Sequence, residues 1–209
     1  MVAGICNKWV KAVLGDNQTV RLKSTNKPED SALTKQLNEF LRQVEQRAFV
    51  VARLATQNPD DALDIVQDAM LKLVQNYSRQ PKDEWGALFH TILHSRINDW
   101  HRRQQVRNRW QVWFKTNEDE DDAPVLEEQV AQTLFAEPEA ASLQAELNEV
   151  LYNAIGKLPL RQQQVVLLRL WEGYDIAATA RIMQCAEGSV KTHLSRALAN
   201  LRDLLGDYQ

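Results

Sequence analysis

The chain has 209 residues, 44% of them apolar, enough for one large or two small cores, and its formal net charge is −3. No apolar run reaches membrane-spanning length, and Lys8 and Lys11 interrupt the N-terminal apolar stretch that a secretion signal needs. Only Cys6 and Cys185 are present, without metal-ligand spacing, so we expect a cytoplasmic protein with no membrane insertion, no metal and no disulfide scaffold, and Cys185 as a small buried residue.

In chain order, residues 1–30 show no sustained hydrophobic period and read as a weakly ordered leader. A first helix is expected from Ser31 to Ala55, with Leu33, Leu37, Phe40, Leu41, Val44, Ala48 and Val51 on one face. Gln57-Asn58-Pro59-Asp60 breaks it, and a second helix follows from Asp61 to Tyr77, burying Ala62, Ile65, Val66, Ala69, Met70 and Leu73. After the loop Ser78–Glu84, a third helix carries Trp85, Leu88, Phe89, Ile92, Leu93, Ile97 and Trp100 and runs into an arginine cluster. Residues 31–114 thus form a first helical domain, and 115–139 an acidic, flexible linker. A second domain spans 140–209. It opens with an amphipathic helix from Ala140 to Leu158 (Leu147, Val150, Leu151, Ala154, Ile155), closed by Gly156 and Pro159. Next comes the segment RQQQVVLLRLW, which Gly173 stops. Asp175 to Met183, burying Ile176, Ala177, Ala180 and Met183, and a last helix from Ser189 complete a helix-turn-helix. On that last helix Val190, Leu194, Ala197, Leu198 and Leu201 make the inner stripe. With seven glycines, six prolines and no alternation of strands with helices, the fold class is all-α, two helical domains joined by a tether.

Charge divides the chain the same way. Five arginines lie between Arg96 and Arg109 against one acid, Asp99, and seven cations between Lys157 and Arg202 against three acids. Between these blocks, Glu118–Glu139 holds nine acids and no Lys or Arg. A nucleic-acid binder needs positive charge only where it touches phosphate, so two basic modules flanking an acidic tether suit one. The tether acids either shield the basic faces of the free protein or are simply solvated.

Three surfaces stand out. On the last helix Lys191, Thr192, Ser195 and Arg196 fall opposite the apolar stripe, a short cationic face of the type that enters a major groove. On the third helix, Trp100, Trp110 and Trp113 alternate with arginines. Rings that stack on bases and cations that bind phosphate suit single-stranded DNA, while tryptophans in a core with arginines outside fit the same spacing. On the second helix Asp64, Gln67, Asp68, Leu71, Lys72 and Gln75 lie opposite the core, as a docking stripe for another protein or as a solvated face.

The residues from Ala32 to Leu205 resemble the extracytoplasmic-function (ECF) group of bacterial RNA polymerase sigma factors. DALDIVQDAMLKLVQNY is similar to their polymerase-binding helix, and the stretch from Trp85 ending in D-W-H-R-R to their −10 element reader. LPLRQQQVVLLRLWEG followed by GSVKTHLSRALANLR is similar to their −35-binding domain. The resemblance implies polymerase contacts at Asp64, Gln67, Asp68, Leu71 and Lys72. It implies −10 contacts at Trp85, Arg96, Asp99, Trp100, Arg102 and Arg103, and −35 contacts at Lys191, Thr192, Ser195 and Arg196. It also implies RNA polymerase core and promoter DNA as partners, duplex at −35 and single-stranded at −10, an anti-sigma factor as a further partner class, and no cofactor. Three positions depart from the pattern: Gln184 stands where the turn usually has Gly, Ala186 where the recognition helix usually has a Ser or Pro cap, and Ser95 where Asn is usual.

Two other functions fit parts of the chain. A response-regulator-like transcription regulator ends in a similar helix-turn-helix but carries alternating strands and helices upstream. An enzyme reading rests on His90 and His94, four apart on one helix. The residue after His90 is Thr91, not the Glu of a zinc-hydrolase motif, and no third ligand is evident, so both histidines are expected at the surface or near DNA.

Overall fold

The computed structural model describes residues 28–115 and 142–206, with side chains over 32–107 and 148–206. The expected leader and linker therefore lie outside the described residues except at their edges. Pro28–Asp30 already belong to the first helix, and Lys115 is the last residue of the third.

The first helix, α1 (Pro28–Thr56), opens on a proline, whose missing N–H is no loss in a first turn. It stops where Gln57 takes a left-handed φ of 55°. Asn58 then caps α2 (Pro59–Tyr77): its Oδ1 accepts from the amides of Asp60 at 2.8 Å and Asp61 at 3.1 Å. Asp60 and Asp61 also place negative charge at the positive end of the helix. A single 3₁₀ turn, Lys82–Glu84, leads into α3 (Trp85–Lys115). The three helices pack on one another around Leu73, Trp85, Phe89, Leu93 and Ile97, all essentially inaccessible. Phe40 of α1 lies against Trp85 at 5.8 Å and edge-on to Phe89 at 6.2 Å.

The second module begins with α4 (Ser142–Gly156) and α5 (Leu160–Val166), which continues as a π-helical turn, Leu167–Trp171. The wide turn is closed by the Glu172 amide donating to the Leu167 carbonyl at 2.9 Å. Gly173, at φ +76°, ends the segment in a conformation that only glycine adopts without strain. Asp175 caps α6 (Ile176–Met183), accepting from the Ala178 amide at 2.6 Å. Gln184 closes α6 at φ 52°, with the Gln184 amide on the Arg181 carbonyl and the Cys185 amide on that of Ala180, the paired bonds of a Schellman stop. The recognition helix α7 (Glu187–Leu205) follows from Ala186, which offers no side-chain cap.

Several sequence expectations need correction. Ala177 is exposed, because starting the helix after the Asp175 cap turns Thr179, Ala180, Ile182 and Met183 inward. Leu151 is exposed, and the inner face of α4 runs through Ala154, Ile155 and then Leu158. Leu194 and Leu198 are half-buried beside fully buried Val190, Ala197 and Leu201, and Cys185, in the turn, is only half-buried. Leu147, Trp110 and Trp113 lie outside the described side chains.

The two modules are not separate. α3 packs against α6 and α1 against α4, so the first module's long helix forms one wall of the second. Among the described residues no helix is long and apolar enough to cross a membrane.

The left-handed residue at the helix-turn-helix turn gives a direct test. Gln184→Gly removes the Cβ clash at φ 52° and should stabilise the fold by about 1 kcal/mol, read as a higher urea midpoint with an unchanged slope.

Candidate nucleic-acid interface

Geometry on α7 follows from its 100° step. Lys191, Ser195, Thr192 and Arg196 span an arc of about 140°, opposite buried Val190, Ala197 and Leu201, and all four are exposed. The Thr192 hydroxyl donates to the Gly188 carbonyl at 2.9 Å, which orients its oxygen. Among the described residues neither Lys191 nor Arg196 is paired with a carboxylate, so both cations are free to meet an anion.

The −10 candidates divide. Arg102 and Arg103 are exposed, while Arg96, Asp99 and Trp100 are half-buried. Arg102 Nη1 lies 3.8 Å from Asp99 Oδ1, a solvent-screened contact worth little. Trp100 Nε1 and Arg96 Nε are buried without a hydrogen-bond partner among the described residues, and Trp100 packs against the core. Trp85 does not belong with them. It is 1% exposed and packs against Phe40, so it is a core residue whose ring no base reaches in this fold.

On α2, Asp64 and Asp68 are exposed and Gln67, Leu71 and Lys72 half-buried, forming one continuous surface opposite the core. No other described helix covers these five together.

His90 and His94 are buried, at 4% and 2% exposure, contrary to the surface position expected for them. They belong to a stripe along α3 (Gly86, His90, His94, Asn98) that faces the second module. A Cβ on Gly86 would lie 3.1 Å from the Tyr174 hydroxyl. His90 Nε2 lies 3.5 Å from Glu172 Oε2, and Asn98 Oδ1 accepts from Gln164 Nε2 at 2.9 Å. Arg47 of α1 reaches the same carboxylate at 3.1 Å, donates to the Trp171 carbonyl and lies over the Trp171 ring, 5.6 Å from its centroid. Gln163, also buried, donates to the Leu54 and Ile155 carbonyls at 3.2 Å each, tying α1 to α4. Burial, with smaller contributions from His90 and Arg161, lowers the His94 pKa to about 3, so the ring is neutral at any ordinary pH. Burial would raise the Glu172 carboxyl, but His90 and Arg47 outweigh it and hold the group below its usual value. Burial, then Glu172, pushes Tyr174 up to about 12. Sequence reasoning missed this seam. Its signal was present in the four-residue ladder of polar side chains on α3 and in two glutamines inside an apolar run. Among the described residues no cluster of three His, Cys, Asp or Glu is placed to hold a metal ion.

Comparison with known proteins is decisive. Residues 40–107 match the family described as Sigma-70 region 2, and residues 148–201 match Sigma-70, region 4. The RNA polymerase sigma-E factor of Streptomyces antibioticus is 31% identical over 148 residues, covering 71% of this chain and 72% of its own length. The chain belongs to the ECF sigma factors. The ECF sigma factor SigM of Mycobacterium tuberculosis is 29% identical over 81% of this chain and 76% of its own length. The sigma factor RpoE of Bartonella quintana, solved with the anti-sigma factor NepR, superposes with a TM-score of 0.58 at 24% identity, over 82% of this chain and 98% of that one, and so shares the fold. Promoter-directed initiation of transcription with RNA polymerase is the function of this ECF sigma factor, and the region 2 match upstream of the helix-turn-helix does not favour the response-regulator reading.

Proposed function

We propose a division of labour among three surfaces of this sigma factor. The α2 face Asp64, Gln67, Asp68, Leu71 and Lys72 docks on core polymerase. The α3 face Arg96, Asp99, Trp100, Arg102 and Arg103 captures unstacked −10 bases, at a cost of a few kcal/mol per extruded base. The α7 face Lys191, Thr192, Ser195 and Arg196 reads the −35 duplex in the major groove. The observation that carries the reading is the free cationic arc on α7, placed in the region 4 match and on the far side of that helix from its core stripe. On α3, Arg96, Asp99 and Arg103 lie on the side away from His90 and His94, with Arg103 exposed and Arg96 and Asp99 half-buried while the modules touch. The chain itself supplies no phosphoryl chemistry in this scheme; the polymerase does. The anti-sigma factor bound to the solved relative supports a partner of that class here.

Run-off transcription with purified core polymerase and a genomic promoter library tests the whole assignment, and three variants test its parts. Arg196→Ala should weaken −35 duplex binding by about 1–3 kcal/mol if the guanidinium makes a bidentate base contact. An unchanged footprint and transcript yield would remove α7 as the reader.

Asp68→Arg should reduce association with core polymerase while circular dichroism keeps the helical signal. Full retention of binding would move the docking site off α2.

The double change Arg102→Ala/Arg103→Ala should impair promoter opening, with polymerase docking and −35 binding intact, because each phosphate left unneutralised forfeits counterion release. Permanganate reactivity of −10 thymines, on duplex and on pre-melted templates, separates a melting defect, rescued by the bubble, from loss of strand capture, which it does not rescue.

A further inference from the structure

The two modules are closed on each other in a way that promoter reading cannot use. Elements centred at −35 and −10 lie about 25 base pairs apart, or about 85 Å along straight duplex. The described residues, 28–115 and 142–206, packed as one body have a radius of gyration of only about 15 Å. The contact of α3 with α6 must therefore part before both elements are engaged.

What parts is apolar contact, one cluster running through both modules, with a polar seam set beside it. On α3 the ladder Gly86, His90, His94 and Asn98 meets Tyr174, Glu172 and Gln164 of the second module, and His94 sits between the two hydrogen-bonded rungs, both ring nitrogens without a partner among the described residues. The groups of either charge around the histidine pair are few. Glu172 lies against His90, Tyr174 is edge-on to it at 5.4 Å, and Arg161 of α5 acts on His94. Arg47 of α1 neutralises Glu172, and Arg169 is held on the Tyr174 carbonyl. The inward faces of α2 and α6 contribute no ionisable side chain.

We propose that this seam is a proton-operated latch: with His94 neutral it holds the two promoter-reading modules together, and protonation of His94 releases them. The consequence for transcription rests on the surfaces assigned above; the latch itself is a property of the free chain. The direction follows from burial. The closed state holds His94 at about 3, against 6.5 for an ordinary histidine, so opening takes up a proton. Closure is at full strength above pH 6.5 and is lost progressively as pH falls from there toward 3. Between pH 7.5 and 5.5 the closed-to-open ratio should drop about tenfold. Glu172, also depressed in the closed state, adds to the loss in the same direction at still lower pH.

Single-molecule energy transfer on the full chain tests this, with labels at Gln75→Cys and Asp203→Cys in a Cys6→Ser, Cys185→Ser background. The wild-type seam should lose high transfer by about tenfold in population ratio between pH 7.5 and 5.5, with the far-ultraviolet dichroism unchanged. His94→Gln, which cannot take up the proton, should lose that pH slope. Glu172→Ala, which removes the carboxylate shared by His90 and Arg47, should show reduced transfer already at pH 7.5, and it decides the matter if the His94 variant does not fold. Equal transfer at both pH values, the same slope in His94→Gln, wild-type transfer in Glu172→Ala, or a parallel loss of dichroism at pH 5.5 would each overturn the latch. Adding core polymerase at pH 7.5 should open every variant. Failure of that arm alone would count against the α2 docking surface and leave the pH result to judge the latch.

Discussion

Everything in this molecule hangs on α3, because one helix has to serve three environments around its circumference. Its inner face, Trp85, Phe89, Leu93 and Ile97, closes the core against α1 and α2. A second stripe, Gly86 through Asn98, faces the other module, and the remaining face carries Arg96, Asp99, Trp100 and Arg103. A rigid rod with a fixed 100° step cannot adjust one face without turning the other two. Rigidity that sets the arginines for a nucleic-acid strand also sets His90 and His94 for Glu172 and Gln164. A substitution that rotates or bends α3 is therefore felt at all three surfaces at once.

The two kinds of contact α3 makes differ in what they can do. Apolar burial is non-directional and proportional to area, and it runs from the first module into the second. The seam sets hydrogen bonds and one shared carboxylate beside apolar contact, since the buried apolar residues of both modules form one continuous cluster. Each such bond contributes on the order of 1 kcal/mol net, while a buried polar atom left unpaired costs at least as much. His94, with neither nitrogen satisfied among the described residues, is a standing cost inside the closed form. The polar part of the contact is selective, since its bonds form only when the partners meet in one register.

Much of the helical architecture was legible in the sequence. Apolar residues at three- and four-residue steps gave α1, α2, α3 and α7 within a few residues of their ends, and the Gln57–Asp60 and Gly173 breaks fall where the backbone turns left-handed or is capped. The cationic arc on α7 and the stripe on α2 were legible for the same reason, since a face opposite a core stripe has no alternative but solvent. Trp85 was read rightly from its spacing as part of the apolar stripe of the third helix; only the resemblance implied a −10 contact for it, and packing against Phe40 keeps the ring in the core. Histidines 90 and 94 were misplaced because polarity alone argues for solvent. Their burial depends on a partner surface more than 60 residues away in the chain, Gln164 and Glu172, which no local pattern announces.

The π turn at Leu167–Trp171 carries an implication for how such proteins diverge. By taking one residue more than an α turn, it keeps Leu167 and Leu168 in the core, pushes Leu170 out to 62% exposure and delivers Glu172 to Arg47 and His90. Deleting a single residue there would restore an ordinary helix and swing everything after it by about 100° relative to α5. The helix-turn-helix would survive such a deletion as a unit, because its caps at Asp175 and Gln184 are local. Its alignment with the first module would not. One codon gained or lost there thus re-aims Glu172 and Tyr174, while Gln163 and Gln164, on α5 before the turn, keep their hold on α1 and α3.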